Sequence, residues 1–271
     1  MMSPFSTEAT NTRVSSVSAA MVVTGVAAGF VGVGGGEFRI PVLVEVLRYP
    51  LKLAGGINLV VGLFTVTLSI ARRWGNQSLA LDDLALVIVM GVLSIAGAAI
   101  GVVGRERLPL RPLTFAVSGY LGVVGLWMLY EASIHAEHVL FDPEGMARLA
   151  FAGAVAFVIA VVSGGLGIAG GEMRIPALLY LFAVPVQTAG LLSLMVSVPT
   201  LAAGAVTDRR IGGLPNAALR VAVLMGVASG IGVLIGTALL PFANRDLIKA
   251  VLGGILMLAS IHLVARPPHS N

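Results

Sequence analysis

Cysteine is absent from the chain, and charged residues are scarce. None of the 271 residues is Cys, and Asp, Glu, Lys and Arg together make up only 11% of them. The first absence excludes a disulfide framework, a thiolate metal site and a cysteine nucleophile. The second excludes a water-soluble globule, because a soluble domain carries about 25% charged residues.

Apolar residues are abundant instead, at 57% of the chain, and the mean hydropathy is +0.98. This composition is typical of a protein with many transmembrane segments. The basic residues lie singly or in pairs between apolar stretches, which favours loop anchors beside lipid over a nucleic-acid surface. We therefore predict a multi-pass protein of the cell (inner or plasma) membrane. No motif for a metal, a nucleotide or a catalytic triad occurs, so we predict no metal site, no cofactor and no enzymatic activity.

An internal repeat divides the chain into two halves. The run Gly-Gly-Glu-Phe-Arg-Ile-Pro begins at Gly35 and returns from Gly170, with Met in place of Phe. At this constant offset of 135 residues, 15 of the 37 positions in 29–65 match without a gap. Biased composition explains scattered matches of Gly and Leu, but it does not explain a shared seven-residue run. The chain is therefore read as two copies of one unit.

Each unit contains five apolar segments, the second of them short. In the first copy they cover 14–33, 37–49, 51–71, 84–103 and 110–131; in the second they cover 149–168, 172–184, 186–206, 216–239 and 246–264. A span needs roughly 20 apolar residues, so the short segments either cross as part of a tilted pair or belong to a re-entrant hairpin. The predicted organisation is a polar tail at 1–13, a first membrane repeat at 14–131, an acidic extracytoplasmic link at 132–148, a second repeat at 149–266 and a tail at 267–271.

Either arrangement gives each unit an odd number of crossings, which predicts an inverted repeat. With the acidic link outside, ten loop Lys and Arg residues fall inside and five outside, whereas a parallel repeat gives seven and eight. This distribution predicts that Arg105, Arg107 and Arg111 anchor a cytoplasmic loop. The predicted fold is thus an all-α transmembrane bundle of two inverted repeats, with Gly-broken short helices or re-entrant hairpins.

The two Gly-Gly-Glu-x-Arg-Ile-Pro runs are the main candidate site, because an intramembrane charge is costly and usually functional. A glycine-rich break before a helix start aims unpaired N–H groups at one point, and an arginine fork suits an oxyanion. Two such points facing each other predict an anion site at the membrane midplane. The candidate substrate-binding residues are Gly35, Gly36, Glu37, Arg39, Asn58, Gly170, Gly171, Glu172, Arg174 and Ser193. Glu37 and Glu172 are also candidates for proton coupling, since a buried carboxylate binds a proton readily.

A structural alternative stays open for the same charges. Each Glu can pair with the Arg of the opposite copy, which would give two bridges that lock the halves together. Asn58 and Ser193 are repeat equivalents, but polar residues in membrane helices often bond only a neighbouring helix. The pairs Gly97/Gly101 and Gly232/Gly236 are also equivalents, and their spacing predicts close helix packing within the fold.

On these runs the chain resembles the TauE/SafE family of membrane permeases, also called sulfite exporters, from about 17 to 264. The family's helix-breaking and motif positions fall on Gly34, Gly35, Gly36 and Pro41, and on Ala169, Gly170, Gly171 and Pro176; in the second copy Ala169 replaces the first of the three glycines. The resemblance implies a secondary transporter of sulfur oxyanions or organosulfonates, coupled to a proton or ion gradient. A passive anion channel that uses the same arginines is the alternative, and a homodimer is left open.

Overall fold

Ten α-helices account for nearly all of the residues that the structure describes. The computed structural model describes residues 7–74, 80–105, 110–135, 139–140 and 144–265, and within them it leaves out the side chains of 7–18, 37, 38, 41, 45, 110, 111, 113 and 114. The helices are α1 (Thr7–Val31), α2 (Gly36–Pro41), α3 (Leu51–Arg73), α4 (Leu81–Gly104), α5 (Leu110–Ile134), α6 (Gly145–Leu166), α7 (Gly171–Phe182), α8 (Val186–Arg210), α9 (Asn216–Leu239) and α10 (Arg245–Ala265). No strand occurs in these ranges.

Within the part of the chain whose side chains are described, seven helices are long and apolar enough to cross a membrane, namely α3, α4, α5, α6, α8, α9 and α10. The prediction of a multi-pass helical membrane protein is therefore confirmed. The second segment of each half is short, as predicted: α2 ends at Pro41 and continues as a π-helical turn (Val42–Val46), and α7 ends at Phe182. Helix α1 begins at Thr7, earlier than the apolar run at 14 suggested.

Helix pairs recur between the two halves at equivalent positions. Helix α1 packs on α9, and its repeat equivalent α6 packs on α4. A Cβ built on Gly29 would lie 2.9 Å from the Cα of Val233, and one built on Gly164 would lie 3.0 Å from the Cα of Ala98. Gly164 and Ala98 are the repeat equivalents of Gly29 and Val233. Both halves thus use the same close packing, made possible by the missing side chain.

The glycine pairs at four-residue spacing also pack within the chain. Gly97 and Gly101 lie against α6, where added Cβ atoms would contact the backbone of Phe157 and Val161. Gly232 and Gly236 lie against α1 in the same way. The predicted use of these pairs in helix packing inside the fold is confirmed.

The central helices α3 and α8 run antiparallel where they touch, although they align with each other in the repeat. Gly56 lies against Asp208 at one end of the contact, and Gly62 lies against Leu201 further along. Helices α5 and α10 are also repeat equivalents and also antiparallel. Ser118 donates to the carbonyl oxygen of Ser260, and further along α5 Gly125 lies against Gly253, which is earlier in α10. Helices α3 and α8 thus form the centre of the bundle, and the short helices α2 and α7 pack beside them.

Candidate functional site

The two glycine-rich turns meet in the interior of the protein. A Cβ built on Gly34 would lie 2.8 Å from the Cβ of Ala169, its repeat equivalent. One built on Gly171 would lie 3.0 Å from the Cα of Val33, and one built on Gly36 would lie 3.5 Å from the Cα of Ile168. Each turn therefore approaches the first residue of the short helix that follows the other turn.

A left-handed glycine begins each short helix. Gly35 caps the N-terminus of α2 with φ +68°, and Gly170 caps α7 with φ +73°. Residues other than glycine rarely adopt this conformation, so the motif glycines reverse the chain just before the helix starts. The Glu and Arg of each motif therefore fall in the first turn of the short helix.

Arg174 is fully buried and holds its own turn against α8. Its Nη1 donates to the carbonyl oxygen of Ser193 at 3.1 Å and to Oγ of Ser197 at 2.8 Å, and its Nη2 donates to the carbonyl oxygen of Ala169 at 3.4 Å. Its Nε has no hydrogen-bond partner among the described residues. Because Ser197 lies near the middle of the 25-residue α8, this guanidinium is close to the centre of a crossing helix.

Arg39 occupies the equivalent position against α3. It is 1% exposed, and its Nε donates to the carbonyl oxygen of Gly35 at 3.0 Å. Its Nη1 donates to Oγ1 of Thr65 at 3.4 Å. Each motif arginine therefore closes its own turn and contacts the adjacent long helix, so that two buried cations lie on either side of the place where the turns meet.

Glu172 is fully buried, and neither of its carboxylate oxygens has a hydrogen-bond partner among the described residues. It lies within electrostatic range of both Arg174 and Arg39, but it forms an ion pair with neither. The described residues therefore show no bridge from Glu172 to Arg39 of the kind that the structural alternative requires. The side chains of Glu37 and Pro41 lie outside the described residues, whereas Pro176 is buried within α7.

Asn58 and Ser193 each leave one buried oxygen unsatisfied. Asn58 donates from Nδ2 to the carbonyl oxygen of Gly167 at 2.7 Å, but its Oδ1 has no partner among the described residues. Oγ of Ser193 is likewise buried without a partner. Buried polar atoms normally have partners, so these two oxygens are acceptors that a polar ligand or water would satisfy.

The sequence did not indicate that Arg73, Arg105 and Asp208 are buried. Arg105 is 7% exposed and lies 3.4 Å from Oδ1 of the fully buried Asp208, a burial that its prediction as the anchor of a cytoplasmic loop did not include. Arg73, at the end of α3, is also buried. The one signal available was position: Arg73 and Asp208 are repeat equivalents that close long apolar segments. Arg107 lies outside the described residues, as does the side chain of Arg111.

A further buried ion pair lies apart from the turns. Nζ of Lys249 lies 3.1 Å from Oε2 of Glu131, and the hydroxyl of Tyr180 donates to the same oxygen at 3.1 Å. Nε1 of Trp127 donates to Oε1 of Glu131 at 3.2 Å. The carboxylate is thus satisfied on both oxygens, and the cluster connects α5 and α10 to the end of α7.

Comparison with known proteins agrees with this architecture. The family model described as sulfite exporter TauE/SafE matches residues 17–263. A protein of Methanocaldococcus jannaschii named "Probable membrane transporter protein" is 28% identical over 114 residues. That match covers 40% of this chain and 42% of the relative, so the chain matches less than half the length of that relative. No solved structure matches.

Proposed function

The chain belongs to the TauE/SafE family and is a membrane transporter, and on that premise we propose that it moves small anions by secondary active transport. The proposed substrates are sulfur oxyanions such as sulfite, or organosulfonates. One observation carries the proposal: the two glycine-rich turns meet, and each is backed by a buried arginine, Arg39 or Arg174.

The chemistry of the meeting point suits a sulfur oxyanion. A guanidinium offers a planar fork of donors to two oxygens of one anion, and the first turn of α7 adds N–H groups at its positive end. Arg174 keeps one donor, Nε, without a partner among the described residues. The unsatisfied oxygens of Asn58 and Ser193 suit a hydroxyl, an amine or a water that accompanies the anion.

The symmetry of the bundle suits alternating access. We propose that the halves form an inverted repeat, because α3 and α8 are repeat equivalents and pack antiparallel, and α5 and α10 do the same. In such a pair each conformation that opens the site to one face has a counterpart that opens it to the other. The site at the meeting of the turns then stays in place while the access to it changes.

Glu172 is the residue we propose to couple transport to protons, with Glu37 in the equivalent role in the first half. When the carboxylate of Glu172 is ionised, it offsets part of the positive charge of Arg39 and Arg174. When it takes up a proton, the site gains one unit of positive charge and binds an anion more tightly. Proton and anion binding therefore favour each other, and the two are carried together.

Counterflow in proteoliposomes tests this function. Vesicles loaded with unlabelled sulfite are expected to accumulate labelled sulfite transiently, because a carrier exchanges substrate across the membrane. An Arg174→Lys variant should lose this accumulation, whereas Arg72→Gln, which removes an exposed arginine of α3, should retain it. A large conductance without counterflow would instead support the passive channel and overturn the proposed mechanism.

A further inference from the structure

The last carbonyl groups of α1 and α6 each accept hydrogen bonds from a buried arginine. In α1 they belong to Gly29 and Phe30, and in α6 to the repeat equivalents Gly164 and Gly165. These helices end just before the two glycine-rich turns. Whatever holds their ends therefore also holds the turns in place.

Arg73 holds the end of α1. Its Nη2 donates to the carbonyl oxygen of Gly29 at 2.7 Å and to that of Phe30 at 3.0 Å, while the residue itself is only 3% exposed. Gly190, at the start of α8, lies against the same guanidinium, where an added Cβ would be 3.0 Å from Nη1. No carboxylate pairs with Arg73 among the described residues, so this contact joins a cation to backbone dipoles alone.

Arg105 holds the end of α6, from a different place in the sequence. Its Nε donates to the carbonyl oxygen of Gly165 at 3.0 Å, and its Nη2 donates to that of Gly164 at 3.1 Å. Its Nη1 donates to the carbonyl oxygen of Lys52 at 3.1 Å and to Asp208 at 3.4 Å. This contact therefore joins α6 to the start of α3 and the end of α8.

The two contacts close opposite ends of the α3–α8 pair. Arg73 ends α3 and lies beside Gly190 near the start of α8, whereas Asp208 is near the end of α8 and lies beside Gly56 near the start of α3. Asp208 is the repeat equivalent of Arg73. At one end the arginine at this position bonds the end of α1 itself, whereas at the other end the aspartate pairs with Arg105, which bonds the end of α6.

We propose that Arg73 forms one gate of the transport pathway, and that Arg105 with Asp208 forms the other. This inference rests on the alternating access proposed above. Each gate is closed by its arginine on a helix end, and opening one face breaks the contacts of that gate alone. Arg73, Arg105 and Asp208 are thus positioning residues that hold the turns without binding the substrate.

Each gate also contains a buried polar atom that lacks a partner among the described residues: Nε of Arg73 at one end and Oδ2 of Asp208 at the other. A buried polar atom without a hydrogen bond costs free energy, and water that enters an opening gate would supply that bond. This gain offsets part of the cost of breaking the arginine contacts.

Cysteine accessibility tests the gates directly, because the chain has no native Cys. Ser193→Cys places a buried reporter between the gates, and a membrane-impermeant maleimide is applied to sealed vesicles of either orientation. Added to this reporter, Arg73→Gln should raise the labelling rate about ten-fold from the face where α3 ends, since bonds to charged groups are lost. Asp208→Asn should raise it similarly from the opposite face only.

Matched controls separate gating from general loosening. Arg72→Gln removes the exposed neighbour of Arg73, and Asp246→Asn removes a partly exposed carboxylate that pairs with His135; neither should change the labelling rate. If a gate variant aggregates, Arg73→Lys or Arg105→Lys takes its place and should give a smaller rise on the same face. The proposed gates would be overturned if Arg73→Gln and Asp208→Asn raised the labelling rate from the same face, or if neither raised it from either face. The readout requires no substrate, so a failure of sulfite transport leaves it interpretable.

Discussion

Gly34 and Ala169 lie against each other in the centre of the protein, although 135 residues separate them in the chain. They are repeat equivalents, so their contact lies where any two-fold axis between the halves must pass. The remaining residues of each turn fall on either side of this contact, and the buried arginines lie behind them. The pair therefore defines the place where the two halves are closest at the proposed site.

The Gly34–Ala169 contact predicts an unequal tolerance to substitution. Gly34 has φ +71°, and an added Cβ would lie 2.8 Å from that of Ala169, so Gly34→Val should abolish transport and reduce the yield of folded protein. Ala169→Gly should be tolerated. The double variant Gly34→Ala/Ala169→Gly removes the contact but keeps a left-handed alanine, which costs roughly 1 kcal/mol. Yield and counterflow should therefore recover only partly, and full activity of Gly34→Val would contradict the contact.

The motif arginines should be more sensitive in transport than in folding. Lysine at 39 or 174 keeps the charge but loses the planar fork, so Arg39→Lys and Arg174→Lys should lower sulfite transport at least ten-fold at normal expression. Initial rates per folded protein measure the effect. Thr65→Val and Ser197→Ala each remove one hydrogen bond from these arginines to the adjacent helix and should cost less. A greater loss in these two variants than in the lysine variants would indicate a purely structural role.

Glu172→Gln should separate coupling from binding. The substitution preserves the shape of a side chain that has no hydrogen-bond partner among the described residues, so folding should be retained. It also removes the charge that opposes Arg39 and Arg174, so counterflow should persist while accumulation driven by a proton gradient is lost. The pair of assays in the same vesicles measures this. Equal gradient-driven uptake by the variant and the parent would remove Glu172 from the coupling step.

The ion pair of Glu131 and Lys249 should matter for stability rather than for transport. Both residues are buried, and removing one partner leaves an uncompensated charge, which costs about 3–5 kcal/mol. Lys249→Met should therefore lower the melting temperature markedly, and the double variant Glu131→Gln/Lys249→Met should recover much of the loss. Thermal unfolding in detergent measures both. A double variant no more stable than the single one would show that the pair acts through other contacts.

Much of the architecture follows from the sequence because the repeat makes each half a check on the other. The recurring motif fixed the offset, and with it the equivalence of α2 with α7 and of Asn58 with Ser193. The short second segments were predictable from length alone, because about 13 apolar residues are fewer than the roughly 20 that an upright crossing needs. The periodic glycines predicted close helix packing within the fold, and the structure shows that this packing joins α1 to α9 and α6 to α4.

The gates were not predictable from the sequence for a physical reason. Arg73, Arg105 and Asp208 end apolar segments, where arginine usually marks a loop in water, and only tertiary packing shows that they are buried. Their partners are mainly backbone carbonyls such as those of Gly29 and Gly164, which carry no sequence signal. The pairing of Glu131 with Lys249 was equally unpredictable from the sequence, because 118 residues separate the two.

The most direct test of the account is a structure with a heavy-atom substrate analogue. Selenite replaces the sulfur of sulfite with selenium, whose anomalous signal locates the anion. We expect one peak where the two turns meet, within hydrogen-bond distance of the guanidinium group of Arg39 or Arg174, and its loss in Arg174→Lys. A selenium peak elsewhere in the protein, with none between the turns, would contradict it.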